Sequence, residues 1–272
     1  MDRRTANAIR LMKDISKYGF DYLENSNFAP DKMTDKQVLL MAYFTHAQAN
    51  FDGVIALVCK SKSQPATARL QLRALQETWI NMFLMVCMED DLWSSYLYAS
   101  SEYDRVKVAN WLLEDGQIDN ANFERVKDEA TQITDRLRQE HPLPDIDGVM
   151  HPSRSTRNYY KKPLSLREKC QIIDHYKPPS EPDSTVTKNY DLIYRHLSSY
   201  VHQDARTVLS AVQEEEGRYR WDISGTTLEI VKTMSTSYAY YTGCLQQLTD
   251  LIGNTNNRRM KLFEGRFEKY LR

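Results

Sequence analysis

The sequence predicts an all-α protein, a helical bundle of about eight to ten helices. Apolar residues recur at intervals of three and four along nearly the whole chain of 272 residues, which is the spacing of amphipathic helices. Only 9 glycines and 9 prolines interrupt the chain, and its 41% hydrophobic and 27% charged residues are typical of a globular protein. A chain of this length can bury a substantial core, and we expect one α-helical domain over residues 1–272.

The N-terminal third predicts three helices. The first carries an apolar stripe over residues 5–24. Thr34 to Gln37 has the Ser/Thr-x-x-Glu/Gln form of a capping box and predicts the start of a long second helix. Pro65 suits the first position of the third helix. That helix runs over 66–89 and is rich in Leu, Met and aromatic residues, so we expect it in the core.

The middle of the chain predicts two helices over 92–114 and 119–140, the second mostly charged and therefore solvated. Residues 141–164 hold four of the nine prolines and predict an irregular inserted loop. Ser165 to Glu168 again has the form of a capping box and predicts a short helix. Toward the C-terminus we expect further helices over about 185–202, 204–213 and 226–252, a small hairpin or an ordered loop near 214–227, and a short last helix.

Composition narrows the class of protein. The formal net charge is −1, so any nucleic-acid site must be local rather than a global basic field. The four cysteines are far apart and show no CxxC spacing, which predicts reduced thiols rather than disulfides or a zinc site. The N-terminus lacks the apolar stretch of a signal peptide, and the most apolar run, 79–88, is too short to span a bilayer. We expect a cytoplasmic protein that does not bind membranes.

The densest group of reactive side chains is YRHLSSYVH, residues 194–202. On a helix, Arg195 and His202 fall roughly 20° apart on one face, about 10 Å from each other along the axis. At that separation the two side chains cannot both contact one phosphate unless they bend toward each other. Alternatively, a second copy of the chain supplies one of the two residues. The flanks of this face are polar and its opposite side is apolar, so the same helix can also pack on a core. The polar flanks are formed by Asp191, Ser198 and Ser199, and the apolar side by Tyr190, Ile193, Leu197, Tyr200 and Val201.

These residue types suit cleavage of RNA. A histidine titrates near neutral pH and can move the proton of the 2′-hydroxyl or of the leaving group. An arginine can hold a phosphate bidentately and stabilise developing charge. No cluster of metal-binding carboxylates and no phosphate-binding, zinc-protease or dinucleotide motif accompanies them, so we expect a metal-independent reaction with no cofactor. The alternative is an ordinary polar face with an Asp191–Arg195 pair.

The spacing Arg195-His196-x5-His202 resembles the Arg-x(4–6)-His motif of the HEPN superfamily. ARLQLRALQETWIN, residues 68–81, is similar to the arginine-and-glutamate core helix of an uncharacterised bacterial HEPN-like group, and the similarity extends over about residues 35–250. The resemblance implies an endoribonuclease whose two motif helices meet across a homodimer. It also implies that Arg195 binds the phosphate, His202 is the general acid and base, and His196 supports them. A setting in bacterial toxin systems or antiviral defence, with an antitoxin or other protein partner, rests on the resemblance alone.

Two further groups are candidates. Arg69, Arg73 and Glu77 follow one another at intervals of four on the third helix. Arg73 and Glu77 either brace the packing of that helix or support the Arg195/His202 face from behind. The basic run 151–162 predicts RNA binding through cations and stacking tyrosines, or else a solvated loop. Its RNA-binding candidates are Arg154, Arg157, Tyr159, Tyr160, Lys161 and Lys162, whereas His151 shows no partner in the sequence.

Two functions therefore compete. The first is a homodimeric, metal-independent endoribonuclease that acts on RNA. The second is a non-catalytic HEPN-like protein that binds a partner protein or a nucleotide with the same face, because a fold does not by itself guarantee an activity. A sensor or regulatory subunit for a separate effector is a third interpretation.

Overall fold

The computed structural model describes residues 3–25, 33–59, 65–180, 184–201, 212–215, 218–221, 227–252 and 257–271. Within these ranges it describes the backbone alone at 25, 65–66, 195–196, 198–201, 212–215, 218–221, 227 and 257–258.

The fold is an all-α helical bundle, as the periodicity predicts. The described residues contain nine helices and one antiparallel hairpin in which Val212 faces Trp221. In chain order the elements are α1 (Arg3–Asn25), α2 (Asp35–Val58), α3 (Pro65–Val86), α4 (Leu92–Glu114), α5 (Asn120–Glu140), α6 (Leu166–Tyr176), α7 (Val186–Val201), β1 (Val212–Glu215), β2 (Arg218–Trp221), α8 (Thr227–Ile252) and α9 (Asn257–Tyr270).

Backbone contacts divide the chain into two compact units. The first contains residues 1–82 and 188–272, and the second contains residues 83–187. The single domain expected from the sequence stays a prediction.

In the first unit, α2 packs on α8, and α1 packs on α2, α8 and α9. Tyr241 of α8 is fully buried and stacks on Phe51 of α2, with ring centroids 4.1 Å apart. Its hydroxyl donates to Gln48, whose amide donates to Ser16 and Asp52, both at 2.9 Å. The polar groups at this junction are therefore hydrogen-bonded, as burial requires.

In the second unit, α4 packs on α5. Trp93 and Tyr96 of α4 are fully buried and meet edge to face. The Tyr96 hydroxyl accepts the backbone N–H of Leu164 at 2.5 Å, which ties the end of the 141–164 segment to α4. In agreement with its charged sequence, α5 buries only Ala130, Thr134 and Leu137.

Several local predictions are confirmed. Both capping boxes form, at Thr34–Gln37 and Ser165–Glu168, and α3 begins at Pro65. The paired strands of the hairpin are 212–215 and 218–221, so it begins two residues before the expected position. The helix expected over 204–213 lies outside the described residues except at its end, where Val212 is already in a strand.

The four cysteines are not paired with one another. All four thiols are free, and three of them are buried. Burial raises the pKa of the Cys244 thiol, so that group stays protonated at neutral pH. No helix in the described ranges is both long and apolar enough to cross a membrane. The free thiols are Cys59, Cys87, Cys170 and Cys244.

Candidate functional site

The candidate site lies on α7. The carboxylate of Asp174 accepts the backbone N–H groups of Val186 (2.7 Å) and Thr187 (2.9 Å), which satisfies two donors that a helix start leaves open. The helix then continues to Val201 and includes the backbone of Arg195 and His196.

None of the predicted catalytic side chains is among those that the structure describes. The side chains of Arg195, His196, Ser198 and Ser199 lie outside the described part of the chain, and so does the whole of His202. Their roles stay predictions. The described residues of α7 nevertheless show which side of the helix faces the core and which side faces solvent.

Described side chains on α7 separate a core side from an open side. Leu197 is only 2% exposed and faces the core, as the helical pattern predicts. Leu192 is 69% exposed, and Lys188 is exposed too. Relative to Arg195 these two positions lie roughly 60° and 20° around the helix. The side of α7 that carries Arg195 is thus exposed at Lys188 and Leu192, while Asp191 on the same side is half-buried.

The predicted supporting pair on α3 contacts α7 next to Arg195. Nε of Arg73 donates to Oε1 of Glu77 at 3.1 Å. The Arg73 guanidinium also donates to the Tyr194 hydroxyl and lies over the Tyr194 ring, 4.6 Å from its centroid. The ring of Tyr190 stacks on the ring of Tyr194, and the two centroids are 4.6 Å apart. Arg73 is therefore charge-balanced by Glu77 and holds the residue that precedes Arg195.

A second set of polar contacts joins α3, α7 and α8. The amide of Gln76, fully buried, donates to the Tyr240 hydroxyl at 2.7 Å. That hydroxyl donates in turn to Oδ1 of Asn189, also at 2.7 Å. Tyr240 packs against Trp79 with ring centroids 5.2 Å apart. These contacts fix α7 on the buried face of α3.

Arg69 does not belong to the candidate site. It is buried and pairs with Glu229 of α8 at 3.3 Å. Burial lowers the pKa of its guanidinium, and the attraction of Glu229 opposes that change. Because its partner lies on α8, Arg69 ties α3 to α8.

The structure corrects the predicted RNA-binding loop. Tyr159 and Tyr160 are only 8% and 3% exposed, so their rings have no free face on which a base could stack, and that prediction is wrong. Arg157 is likewise occupied. It pairs with Glu168 at 2.6 Å and donates to the carbonyl oxygens of Lys162 and Pro163. The segment 141–164 is irregular, as expected, but side-chain contacts hold it.

The remaining basic residues of this segment stay exposed. Arg154 is 72% exposed, with its Nε 3.9 Å from Asp145. Lys161 lies 4.0 Å from Asp135, and Lys162 is exposed. RNA binding by these three residues stays a prediction.

One interaction escaped the sequence analysis. The carboxylate of Asp145 pairs with Nδ1 of His151 and accepts the Ser153 hydroxyl at 3.2 Å. The hydrogen bond from His151 holds the pKa of Asp145 below its usual value. The sequence feature that could have indicated this contact is Asp-Gly at 147–148, which is typical of a tight turn. Gly148 has a φ of +73° there, and the turn brings residues 145 and 151 together.

Among the described residues, no group of three or more His, Cys, Asp or Glu side chains is placed to hold a metal ion. What α7 offers is a helix braced by α3 and α8 on one side and open on the side of Arg195.

The fold and site define an all-α protein in which one side of α7 is exposed at Lys188 and Leu192. Comparison with known families identifies the chain as a member of DUF5677, a family of unknown function, with residues 37–219 matched. The matched region runs from α2 to β2 and includes the whole of YRHLSSYVH. No curated protein and no solved structure matches the chain.

Proposed function

We propose that this protein is a HEPN-like, metal-independent endoribonuclease that acts as a homodimer. The observation that carries the proposal is the open side of α7, on which exposed Leu192 and Lys188 share the helical face of Arg195. Contacts from Arg73 of α3 and Tyr240 of α8 hold the other sides of the helix, so the proposed reactive face lies on a braced element. A catalytic group on such an element keeps its geometry better than one on a loop.

In the proposed reaction, the guanidinium of Arg195 binds the scissile phosphate and stabilises the charge that develops on its oxygens. One His202 takes the proton of the 2′-hydroxyl, whose oxygen attacks the phosphorus. The 5′-oxygen leaves and takes that proton from the imidazolium of the same His202, which therefore acts first as base and then as acid. The products are a 2′,3′-cyclic phosphate and a 5′-hydroxyl end.

The dimer brings the arginine of one copy and the histidine of the other to the same phosphate. Residues seven apart on one helix are about 10 Å apart, which is long for two groups acting on one phosphate. Two copies of α7 meeting at their open sides would bring an arginine of one copy near a histidine of the other. Leu192 is an apolar contact of the kind that such an interface buries.

The test is cleavage of single-stranded RNA by the purified protein in EDTA. We expect Arg195→Ala and His202→Ala each to lower the rate by about 100-fold or more, with unchanged helical circular dichroism. His46→Ala, which removes an exposed histidine of α2, is the matched control and should cleave like the wild type. Wild-type rates in both site variants would refute the proposed roles.

Mixing the two inactive variants tests the composite site. A heterodimer of Arg195→Ala and His202→Ala chains retains one intact arginine and one intact histidine on opposite copies. We therefore expect the mixture to regain part of the activity. No recovery, in a mixture shown to exchange subunits, would mean that both groups act from the same chain.

Toxin or antiviral activity and binding of an antitoxin extend the same proposal. Growth arrest on expression of the wild type, and its absence with His202→Ala, would support this extension. If the wild type cleaves no RNA, the non-catalytic alternative replaces the proposal.

A further inference from the structure

A cavity of about 330 Å³ lies in the second unit, where the end of α5 meets the 141–164 segment. Its volume is in the range of small-molecule sites. Every residue that lines it lies within 138–160, so the cavity is complete within one stretch of chain. It shares no residue with the α7 site.

The polar groups that line the cavity have hydrogen-bond donors to spare. Arg138 is exposed and forms no ion pair or hydrogen bond with any residue that the structure describes. The Ser155 hydroxyl accepts the backbone N–H of Arg157 at 3.0 Å, and its own proton remains to donate. Asn158 uses its oxygen to accept the N–H of Tyr160 at 3.1 Å, which leaves its amide hydrogens. Thr156 adds a second hydroxyl to the lining.

The charge of the lining is positive. None of the described residues that line the cavity is an Asp or a Glu. The positive charge of Arg157 is balanced by Glu168 behind it, but its buried Nε meets no acceptor among the described residues. Arg138 is thus the one lining cation whose charge no described residue balances. The hydroxyls of Ser155 and Thr156 and the amide of Asn158 can each donate a hydrogen bond beside it. An anion with several acceptor oxygens is the complement of such a lining.

The remaining lining is apolar. Pro142, Leu143 and Pro152 contribute aliphatic surface, and Tyr159 and Tyr160 complete the lining. Hydrogen bonds hold this surface in place, because the Tyr160 hydroxyl donates to the carbonyl of His141. Next to Pro152, the Asp145–His151 pair fixes the turn. A ligand that fits therefore combines an anionic group with a flat apolar part.

We propose that this cavity binds a small planar organic phosphate, with Arg138 as its principal phosphate ligand. The guanidinium and the Ser155 and Thr156 hydroxyls bind the phosphate oxygens, and the ring lies against the proline side of the cavity. The site is separate from the proposed ribonuclease site and does not depend on it.

Isothermal titration with phenyl phosphate tests the proposal on the full-length protein. We expect saturable binding of one molecule per chain with a Kd below about 1 mM, and weaker binding of both phenol and inorganic phosphate. Arg138→Gln should weaken the binding of phenyl phosphate about tenfold. Arg136→Gln is the matched control, because Arg136 is also exposed on α5 but does not line this cavity. It should bind like the wild type.

Three results would overturn the proposal. They are the absence of saturable binding by the wild type, equal affinities for phenyl phosphate and inorganic phosphate, and unchanged binding by Arg138→Gln. Arg195→Ala should bind phenyl phosphate like the wild type. A failed titration and a failed cleavage assay therefore contradict different proposals.

Discussion

Gly19 lies where α1 meets α2 and α8. A Cβ atom at this position would overlap the hydroxyl oxygen of Tyr241 and lie 3.0 Å from Oε1 of Gln48. Neither group can retreat easily, because Tyr241 is fully buried, stacked on Phe51 and hydrogen-bonded to Gln48. The glycine is needed for the close approach of the helices.

We therefore expect Gly19→Ala to lower the free energy of unfolding by about 1–3 kcal/mol, the usual effect of overpacking a core. Gly265→Ala is the matched control, since a Cβ atom there meets nothing within 4 Å. In a helix interior that change should raise stability by about 0.5–1 kcal/mol. Urea unfolding followed by circular dichroism measures both. Changes of the same sign in the two variants would contradict this account.

Glu168 joins the cap of α6 to the preceding loop. Its carboxylate accepts the backbone N–H of Ser165 at 2.7 Å and Nη1 of Arg157 at 2.6 Å. Burial raises the pKa of Glu168, but the hydrogen bonds from Ser165 and Arg157 and the attraction of the guanidinium outweigh it, so the pKa lies below its usual value. The charged form thus stabilises the fold.

A depressed pKa contributes stability above the pKa of the unfolded chain, about 4.3, and that contribution is lost as the pH falls through the lower folded value. We expect Glu168→Gln to lower the free energy of unfolding by about 1.5–3 kcal/mol at neutral pH, and the difference from wild type to shrink below about pH 4. Glu140→Gln, an exposed control, should change little. A difference that is independent of pH would show that the charge of Glu168 is not responsible.

At the scale of elements, α7 depends on α3 for its position. The guanidinium of Arg73 contacts both the hydroxyl and the ring of Tyr194, and the Gln76–Tyr240–Asn189 chain forms a second attachment. The register of these contacts determines which side of α7 stays open. The sequence left open whether Arg73 and Glu77 brace the packing of α3 or support the Arg195 face, and the structure brings Arg73 into contact with Tyr194, the neighbour of Arg195.

A double-mutant cycle measures this attachment. We expect Arg73→Ala and Tyr194→Phe to show a coupling energy of about 1 kcal/mol in the free energy of unfolding, because the second change removes the hydroxyl that accepts from Arg73. The same cycle with Tyr18→Phe, a tyrosine that packs on Phe263 of α9, should be additive. Additivity in both cycles would mean that the contact does not stabilise the fold.

At the scale of the whole molecule, the proposed site requires two copies of the chain. We expect light scattering to give twice the chain mass of 31.8 kDa. Leu192→Glu, which places a charge on the open side of α7, should return the mass to that of one chain. Leu262→Glu is the control, because Leu262 is comparably exposed (63%) on α9. A wild-type monomer at micromolar concentrations would contradict the homodimer.

Helix positions and their starts follow from the sequence because their causes are local. The hydroxyl of Thr34 meets the N–H of Gln37 three residues on, and Pro65 has the backbone angle of a first helical residue. Helical spacing alone also places Leu197 on the core side of α7. The predicted arrangement of Arg195 and His202 on one face has the same local basis.

No local sequence pattern predicts the contacts between residues that are distant in the chain. Nothing local in HPSRSTRNYYKK shows that Tyr159 and Tyr160 are buried or that Arg157 is occupied by Glu168, eleven residues away. The sequence by itself determined the class of fold, the helix starts and the two faces of α7, because each depends on residues within a turn or two. Only the tertiary structure decided which tyrosines and cations remain available, because burial and ion pairing depend on which elements meet.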